Sequence, residues 1–223
     1  MAKKGKTART AGEQRLGAEE DACIDFDTYF GLDDEGFEPR RLDLHAILLA
    51  GERKTRTSFV LAREAAQISA LIEAPPRDGE RVEMISGRLG FSSMAVIDYV
   101  ARRDPVELLS VATFNISRKR MCALESLHRR GLVRDARIVT SDVKAGRDRY
   151  CREACARMGW RFDEVKNHAK LILMRTEGGA RHCVRTSSNL NENPRIETYT
   201  WDNDAEIYDF YSQLFDALRE MRG

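Results

Sequence analysis

The feature that most constrains the fold is an alternation of short apolar runs with helical patterns in the middle of the chain. Val106–Phe114 is almost continuously apolar, which is typical of a strand buried on both faces. Ser93–Arg103 before it and the stretch from Ser117 to Gly131 after it carry apolar residues at helical spacing. Strands that alternate with helices of this length predict an α/β protein with helices on both faces of a sheet.

The C-terminal part changes this pattern. Ala169–Met174 and His182–Thr186 are strand-like runs on either side of Glu177-Gly178-Gly179, which predicts a hairpin. Because Ile196–Trp201 follows as another strand without an intervening helix, the sheet is predicted to be mixed rather than purely parallel. The other predicted elements are strands at Arg81–Ser86, Ala136–Thr140 and Arg161–Val165, and helices at Ala145–Met158 and Asp204–Met221.

The length of 223 residues suits one domain with a tail. Residues 1–39 lack a regular apolar pattern and are predicted to be a flexible segment, first basic and then acidic. Residues 17–39 contain nine acids and no Lys or Arg, together with several aromatic residues, which makes them a candidate binding segment for a protein partner. Residues 40–80 are predicted to form an N-terminal helical extension, with a helix that begins at Ser58, packed on a domain of residues 81–223.

The net charge of +1 is unevenly distributed. Residues 115–152 hold eleven Lys or Arg against four acids, so the folded part has a basic region that suits a polyanion. A solvated, Arg-rich helix surface is the alternative for the same residues. The five cysteines are odd in number and scattered, and no apolar run approaches the ~20 residues of a membrane span. We therefore expect a cytoplasmic protein without membrane contact.

Two polar motifs interrupt the apolar pattern. Asn167-His168-Ala169-Lys170 begins one predicted strand, and on a strand the His and the Lys point to the same face. Thr186-Ser187-Ser188-Asn189 ends the next strand, and Glu197 follows. Together these residues supply a nucleophile or acid/base, a cation, polar donors and an orienting carboxylate, which is what phosphodiester chemistry requires.

Each of these residues also has a structural alternative. His168 on an apolar strand can be a core histidine, and Ser187 to Asn189 can be a simple strand-to-loop transition. Glu197 can pair with Arg195 or Arg185 on the surface. The spacing of Cys151, Cys155 and His182-Cys183 matches no common zinc pattern, so no metal site is expected.

His168-Ala169-Lys170, Ser187-Ser188-Asn189 and Glu197, in this order around a hairpin, resemble the phospholipase D superfamily. The resemblance covers about residues 81 to 218 and is closest to the nucleases of that superfamily that carry a single His-x-Lys per chain. It implies a phospholipase D-like α/β fold and a phosphodiesterase that needs no metal and no other cofactor. The chain departs from the family at Arg175, where an Asp is usual, and at Thr186, where a Gly is usual.

The resemblance also implies a mechanism at a site made of two motifs. One His attacks phosphorus and forms a phosphohistidine, and the other protonates the leaving oxygen and then activates water. Lys170 and Asn189 bind the non-bridging oxygens, Ser187 adds a hydrogen bond, and Glu197 orients the ring of His168. No second His-x-Lys occurs in this chain, so a working site predicts a homodimer with the active site on its two-fold axis.

Nucleic acid is the favoured substrate, and DNA in particular, because the folded part is basic and nothing resembles a membrane-binding helix. The alternative is a catalytically inactive phospholipase D-like protein that binds nucleic acid or serves in assembly. The candidate residues for contact with nucleic acid are Arg118, Lys119, Arg147, Arg149 and Arg195.

Overall fold

A computed structural model describes residues 51–52, 56–62, 68–87, 91–142, 149–191 and 196–220. Residues 17–39, Arg147 and Arg195, which carry sequence-based predictions, lie outside the described residues. The strands are β1 (Gly51–Glu52), β2 (Arg56–Ala62), β3 (Glu80–Ser86), β4 (Val106–Ala112), β5 (Val133–Ser141), β6 (Arg161–Val165), β7 (Leu171–Thr176), β8 (Arg181–Thr186) and β9 (Glu197–Asn203). The α-helices are α1 (Ser93–Ala101), α2 (Arg118–Arg129), α3 (Arg149–Met158) and α4 (Ala205–Glu220), and Ile68–Ala70 is a 3₁₀ turn.

The described strands form one mixed sheet in the order β1-β2-β3-β9-β8-β7-β4-β5-β6. The pairs β2–β3, β4–β5 and β5–β6 are parallel, and the other neighbours are antiparallel. The carboxyl ends of β3, β4, β5 and β8 therefore meet the beginnings of β7 and β9 at one edge of the sheet. The predicted α/β fold with a mixed sheet is confirmed.

Helices cover both faces of the sheet. Alternate residues of the central strands point to opposite faces, so each face has apolar side chains that pack against helices. On β7, Ile172 and Met174 belong to the large apolar core on the side of α1, α2 and α3. Leu171 and Leu173 belong to a smaller core with Tyr208 and Phe215 of α4, and the side chains at these positions are buried. Among the described helices, none is both long and apolar enough to cross a membrane.

Helix α2 shows how the local sequence sets the ends of an element. The side chain of Ser117 accepts a hydrogen bond from the backbone N–H of Arg120 (3.3 Å), which satisfies one of the free amides of the first turn. Beyond the other end, Gly131 has a φ of +71°, a conformation that glycine adopts without strain. The start of α2 is therefore fixed directly after β4, at the edge where the polar motifs lie.

The predicted helical extension at residues 40–80 is wrong where the structure describes it. Arg56–Ala62 is a strand, β2, and pairs in parallel with the whole of β3. The run from Thr57 to Val60 is rich in β-branched and aromatic residues, which favour a strand. The ladder with β3 also supplies backbone hydrogen bonds to this segment. The pairing depends on residues far along the chain, whereas the apolar spacing that favours a helix here is local.

Candidate active site

The sheet edge at the carboxyl end of β4 brings the two polar motifs together. Residues 167–170 lead into β7, and residues 187–189 follow β8, its antiparallel neighbour. The backbone N–H of Thr186 bonds to the carbonyl oxygen of Lys170 (3.1 Å), which joins the two segments directly. Helix α2 begins at the same edge, where the N–H of Ser117 bonds to the carbonyl oxygen of Leu190 (3.2 Å). In α/β sheets this edge is the usual place for ligands, and helix N-termini there attract anions.

His168 and Lys170 lie in the irregular segment before β7, so the prediction that they lie on a strand is wrong. His168 is exposed, which contradicts the alternative of a core histidine, and its ring centroid lies 5.3 Å from that of Phe114. The ammonium of Lys170 donates to the carbonyl oxygen of His168 (3.1 Å). Among the described residues, no carboxylate lies within ion-pair distance of this ammonium. This geometry suits contact with an anionic ligand.

Asn167 and Thr113 hold the segment in place, and sequence reasoning assigned neither a role. The amide nitrogen of Asn167 donates to the carbonyl oxygens of Thr113 (3.1 Å) and Val139 (3.4 Å), at the ends of β4 and β5. Its amide oxygen accepts from the N–H of Ala169 (2.9 Å), the residue between His168 and Lys170. The position of Asn167 directly before the His-x-Lys motif was the one available signal.

Ser187 and Glu197 form a bonded pair at the junction of β8 and β9. The hydroxyl of Ser187 donates to the carboxylate of Glu197 and accepts from the N–H of Thr198 (3.0 Å). Glu197 is buried at 8% exposure, while Ser187 is exposed. Arg185, one of the suggested surface partners of Glu197, bonds instead to Asp202 (2.8 Å). The carboxylate thus orients the serine hydroxyl, and its predicted action on His168 stays a prediction.

Ser188 and Asn189 turn the chain away from β8. The N–H of Ser188 bonds to the hydroxyl of Thr186 (2.9 Å), and its own hydroxyl bonds to the carbonyl oxygen of Asn189 (3.1 Å). The amide oxygen of Asn189 is buried and has no hydrogen-bond partner among the described residues. Tyr199 lies beneath the turn, and its burial raises the pKa of the phenol. The Gly position of the family is thus filled by Thr186, whose hydroxyl stabilises the turn.

The basic side chains predicted to contact nucleic acid are partly engaged with carboxylates. Arg118 and Lys119 are exposed at the start of α2, and the guanidinium of Arg118 lies 4.7 Å from the ring centroid of Tyr150. Arg149 is exposed at the start of α3 and pairs with Glu153 (2.7 Å). Further along α3, Arg152 and Arg157 pair with Glu164 and Glu125. The free positive charge of this region is therefore smaller than the residue count indicates.

Arg175, the departure from the family pattern, lies far from these groups. It pairs with Glu107 (2.9 Å) and sits in β7 opposite Leu108 and Arg181. It lies five positions after Lys170, or about 16 Å along the chain at the usual rise of a strand. Its effect is thus confined to the other end of the strand.

The residues weighed for zinc do not converge. Cys151 and Cys155 are buried on α3, while His182 and Cys183 point to opposite faces of β8. Burial raises the pKa of the Cys155 and Cys183 thiols to about 12. Within the described ranges, no three His, Cys, Asp or Glu side chains lie close enough to hold a metal ion together.

Four chemical groups lie at this one edge: the exposed imidazole of His168, the half-buried ammonium of Lys170, the hydroxyl of Ser187 held by a carboxylate, and the side-chain amide of Asn189. An imidazole can attack phosphorus or transfer a proton, and an ammonium can stabilise the oxygens of a phosphate. A single copy supplies one imidazole only, since the described residues of this edge include no other histidine.

No protein-family model matches the chain, and no curated protein matches it. Among solved structures, it is similar to Nuc of Salmonella typhimurium, a phospholipase D family member, with 15% identity over 62% of this chain and 93% of that chain and a TM-score of 0.45. It is also similar to polyphosphate kinase from Porphyromonas gingivalis, with 18% identity over 63% of this chain and 26% of that chain and a TM-score of 0.43. A third is yeast tyrosyl-DNA phosphodiesterase, with 13% identity over 54% of this chain and 31% of that chain and a TM-score of 0.38. At such identities and TM-scores, none of the three says what this chain does.

Proposed function

We propose that this chain is a metal-independent phosphodiesterase, a DNA-cleaving nuclease whose active site is shared by two subunits. The observation that carries the proposal is the position of His168 and Lys170. Both lie at the sheet edge where the N–H of Thr186 bonds to the carbonyl oxygen of Lys170, and Ser187, Asn189 and the buried Glu197 lie at the same edge. A lysine without a carboxylate partner among the described residues beside an exposed histidine suits a phosphate better than it suits packing.

The chemistry proceeds in two displacements. An imidazole nitrogen of His168 attacks phosphorus, a P–N bond forms, and the P–O bond to the leaving group breaks. His168 of the second copy gives its proton to the leaving oxygen. That second imidazole then takes a proton from water, the water oxygen attacks phosphorus, and the P–N bond breaks. Lys170 of each copy offsets the charge that develops on the non-bridging oxygens.

The dimer follows from the need for two imidazoles, and exposed apolar side chains support it. Ile196 is 75% exposed and directly precedes Glu197. Ile85 is 45% exposed and pairs across the β3–β9 ladder with Thr198. Burial of these two exposed isoleucines would favour an isologous interface, in which a second copy that reaches His168 would also cover this corner of the sheet.

DNA fits the charge around the site. Arg118 and Lys119 lie at the N-terminus of α2, which begins at the same edge as His168. Helix N-termini and exposed cations bind phosphate without regard to base sequence. Arg149 at the start of α3, whose charge is partly offset by Glu153, and Arg147 and Arg195 are the other proposed contacts. The substrate is therefore expected to be held through its backbone.

The test is cleavage of plasmid DNA in the presence of EDTA. We expect the protein to nick or degrade the plasmid, and His168→Ala and Lys170→Ala to lose at least about a hundredfold in rate. Arg175→Ala is the matched control, because it removes a cation from the far end of the same strand. The proposal is wrong if His168→Ala keeps the activity of the unmodified chain, or if EDTA abolishes cleavage.

The second candidate is a protein that binds phosphate on the same fold without turnover. It is favoured by the contacts already made within the site, where Lys170 bonds to the carbonyl oxygen of His168 and Ser187 bonds to Glu197. The two candidates are distinguished by denaturing the protein rapidly, without acid, during a reaction with labelled DNA and measuring whether label stays attached to the protein. A phosphohistidine on His168 identifies the enzyme, whereas DNA that is bound but never attached to the protein identifies the binding module.

A further inference from the structure

The two segments that carry the proposed groups have little regular structure of their own. Residues 167–170 and 187–189 belong to neither a strand nor a helix. Irregular segments keep a fixed shape only where other parts of the fold determine their backbone. The contacts that do this here converge on one residue, Thr113, which directly follows β4 and is 2% exposed.

The carbonyl oxygen of Thr113 is bonded to the His-x-Lys segment. It accepts from the side-chain amide of Asn167 (3.1 Å), whose oxygen in turn accepts from the N–H of Ala169 (2.9 Å). The same amide nitrogen also reaches the carbonyl oxygen of Val139 (3.4 Å). One side chain thus links the backbone between His168 and Lys170 to the ends of two core strands.

The hydroxyl of Thr113 is bonded to the other segment. It accepts from the N–H of Leu190 (3.0 Å), the residue after Asn189, and donates to the carbonyl oxygen of Asn115 (2.9 Å). The N–H of Thr113 bonds to the carbonyl oxygen of Val139 (2.9 Å), so Thr113 is itself held by the sheet. A single buried residue therefore fixes both segments relative to each other.

We propose that Asn167 and Thr113 are positioning residues of the active site. The polar atoms of both side chains are already bonded to backbone groups of the protein. Together they set the separation between His168 with Lys170 on one segment and Ser187 with Asn189 on the other. Displacement of a reacting group by about 1 Å is enough to lower a rate about a hundredfold, so an anchor shared by both segments has a direct effect on turnover. This inference rests on the proposed function of the site.

Two isosteric variants and one that keeps the hydroxyl test the anchor. Asn167→Asp keeps the oxygen that faces Ala169 but places a second oxygen against two carbonyl oxygens. Thr113→Val removes the hydroxyl that holds Leu190 and keeps the shape of the side chain, and Thr113→Ser keeps the hydroxyl. The matched control is Thr176→Val, because Thr176 is equally buried at 2% exposure and its hydroxyl also bonds to backbone, at the far end of β7.

The measurement is the steady-state cleavage of a short duplex DNA at pH 7. We expect kcat to fall at least about tenfold in Asn167→Asp and Thr113→Val, with KM changed less than about threefold. Thr113→Ser should restore most of kcat, and Thr176→Val should keep it even though its melting temperature falls as far as that of Thr113→Val. Equal losses of kcat in Thr113→Val and Thr176→Val, or no rescue by Thr113→Ser, would overturn the anchor.

A second readout separates this inference from the proposed function. Inorganic phosphate is titrated into each variant while the imidazole signal of His168 is followed by NMR. If the unmodified chain binds phosphate but does not cut DNA, the nuclease proposal fails. The anchor then stands if Asn167→Asp and Thr113→Val weaken the affinity for phosphate at least about fivefold relative to Thr176→Val, and it fails if the three affinities agree. A chain that neither cuts DNA nor binds phosphate at His168 contradicts both.

Discussion

Replacement of His182 with Phe is expected to reduce the dependence of stability on pH. His182 lies on β8 at 3% exposure, with its ring centroid 5.6 Å from that of Trp201 in an edge-on arrangement. Its Nδ1 is buried without a hydrogen-bond partner among the described residues. Burial lowers the pKa of His182 from 6.5 to about 4, which the nearby charge of Asp104 only partly opposes.

The direction in which stability changes with pH follows from which state, folded or unfolded, binds the proton. Between about pH 6.5 and pH 4 the unfolded chain binds a proton at this histidine and the folded chain does not, so the free energy of unfolding falls as the pH falls. The fall in pKa from 6.5 to about 4 corresponds to a loss of about 3 kcal/mol in the free energy of unfolding when the pH is lowered from 7 to 4. The neutral form of the histidine is therefore the form that stabilises the fold.

The assay is urea denaturation of the unmodified chain and of His182→Phe at several pH values from 7 to 4.5. Because Phe keeps an aromatic ring and removes the titrating group, the variant should lack most of this loss. Between pH 7 and pH 4.5 the free energy of unfolding should therefore fall by about 2 to 3 kcal/mol more in the unmodified chain than in the variant. Parallel curves for the two proteins would refute the reasoning. So would an NMR titration that places the pKa of His182 above 6.

Three further perturbations have expected outcomes. Ser117→Ala should lower the free energy of unfolding by about 1 kcal/mol, since it removes the N-cap of α2, and a denaturation midpoint equal to that of the unmodified chain would contradict the cap. Asp202→Ala should cost about 3 kcal/mol or more, because the carboxylate is 1% exposed and bonds to Arg81 (2.6 Å) and Arg185 (2.8 Å). A change below about 1 kcal/mol would show that the two arginines find other partners. Ile196→Lys should change the free energy of unfolding by less than about 0.5 kcal/mol, but the variant should sediment as a monomer. A variant that still sediments as a dimer would show that Ile196 is not part of the proposed interface.

The central elements of the fold were predictable because their signals are local and strong. β4 is a mostly apolar run, and α2 has a capping serine, helical apolar spacing and a terminal glycine. β2 was not predictable in the same way, because its strand conformation depends on pairing with β3 some twenty residues later. Apolar spacing over so short a run fits a helix and a strand equally well.

The candidate site likewise has a part that the sequence predicts and a part that it does not. The residue types of His168, Lys170 and Glu197 indicate phosphate chemistry from the sequence alone. The conformation of the segment that carries His168 depends on Asn167, which bonds to Thr113 at a distance of 54 positions along the chain. The count of basic residues overstates the charge of α3, because Arg152 and Arg157 pair with Glu164 on β6 and Glu125 on α2. Contacts between distant residues, and pairing among charges, are what a single sequence does not display.

The central claim is that each active site uses His168 from two chains, and mixed dimers test it most directly. Unmodified chains and His168→Ala chains, carrying different tags, are mixed in known ratios, unfolded, refolded together and assayed for DNA cleavage in EDTA. If both imidazoles are needed, activity falls with the square of the fraction of unmodified chains, to about one quarter in an equal mixture. If each chain works alone, activity falls in direct proportion, to about one half in the same mixture, and the shared site is wrong.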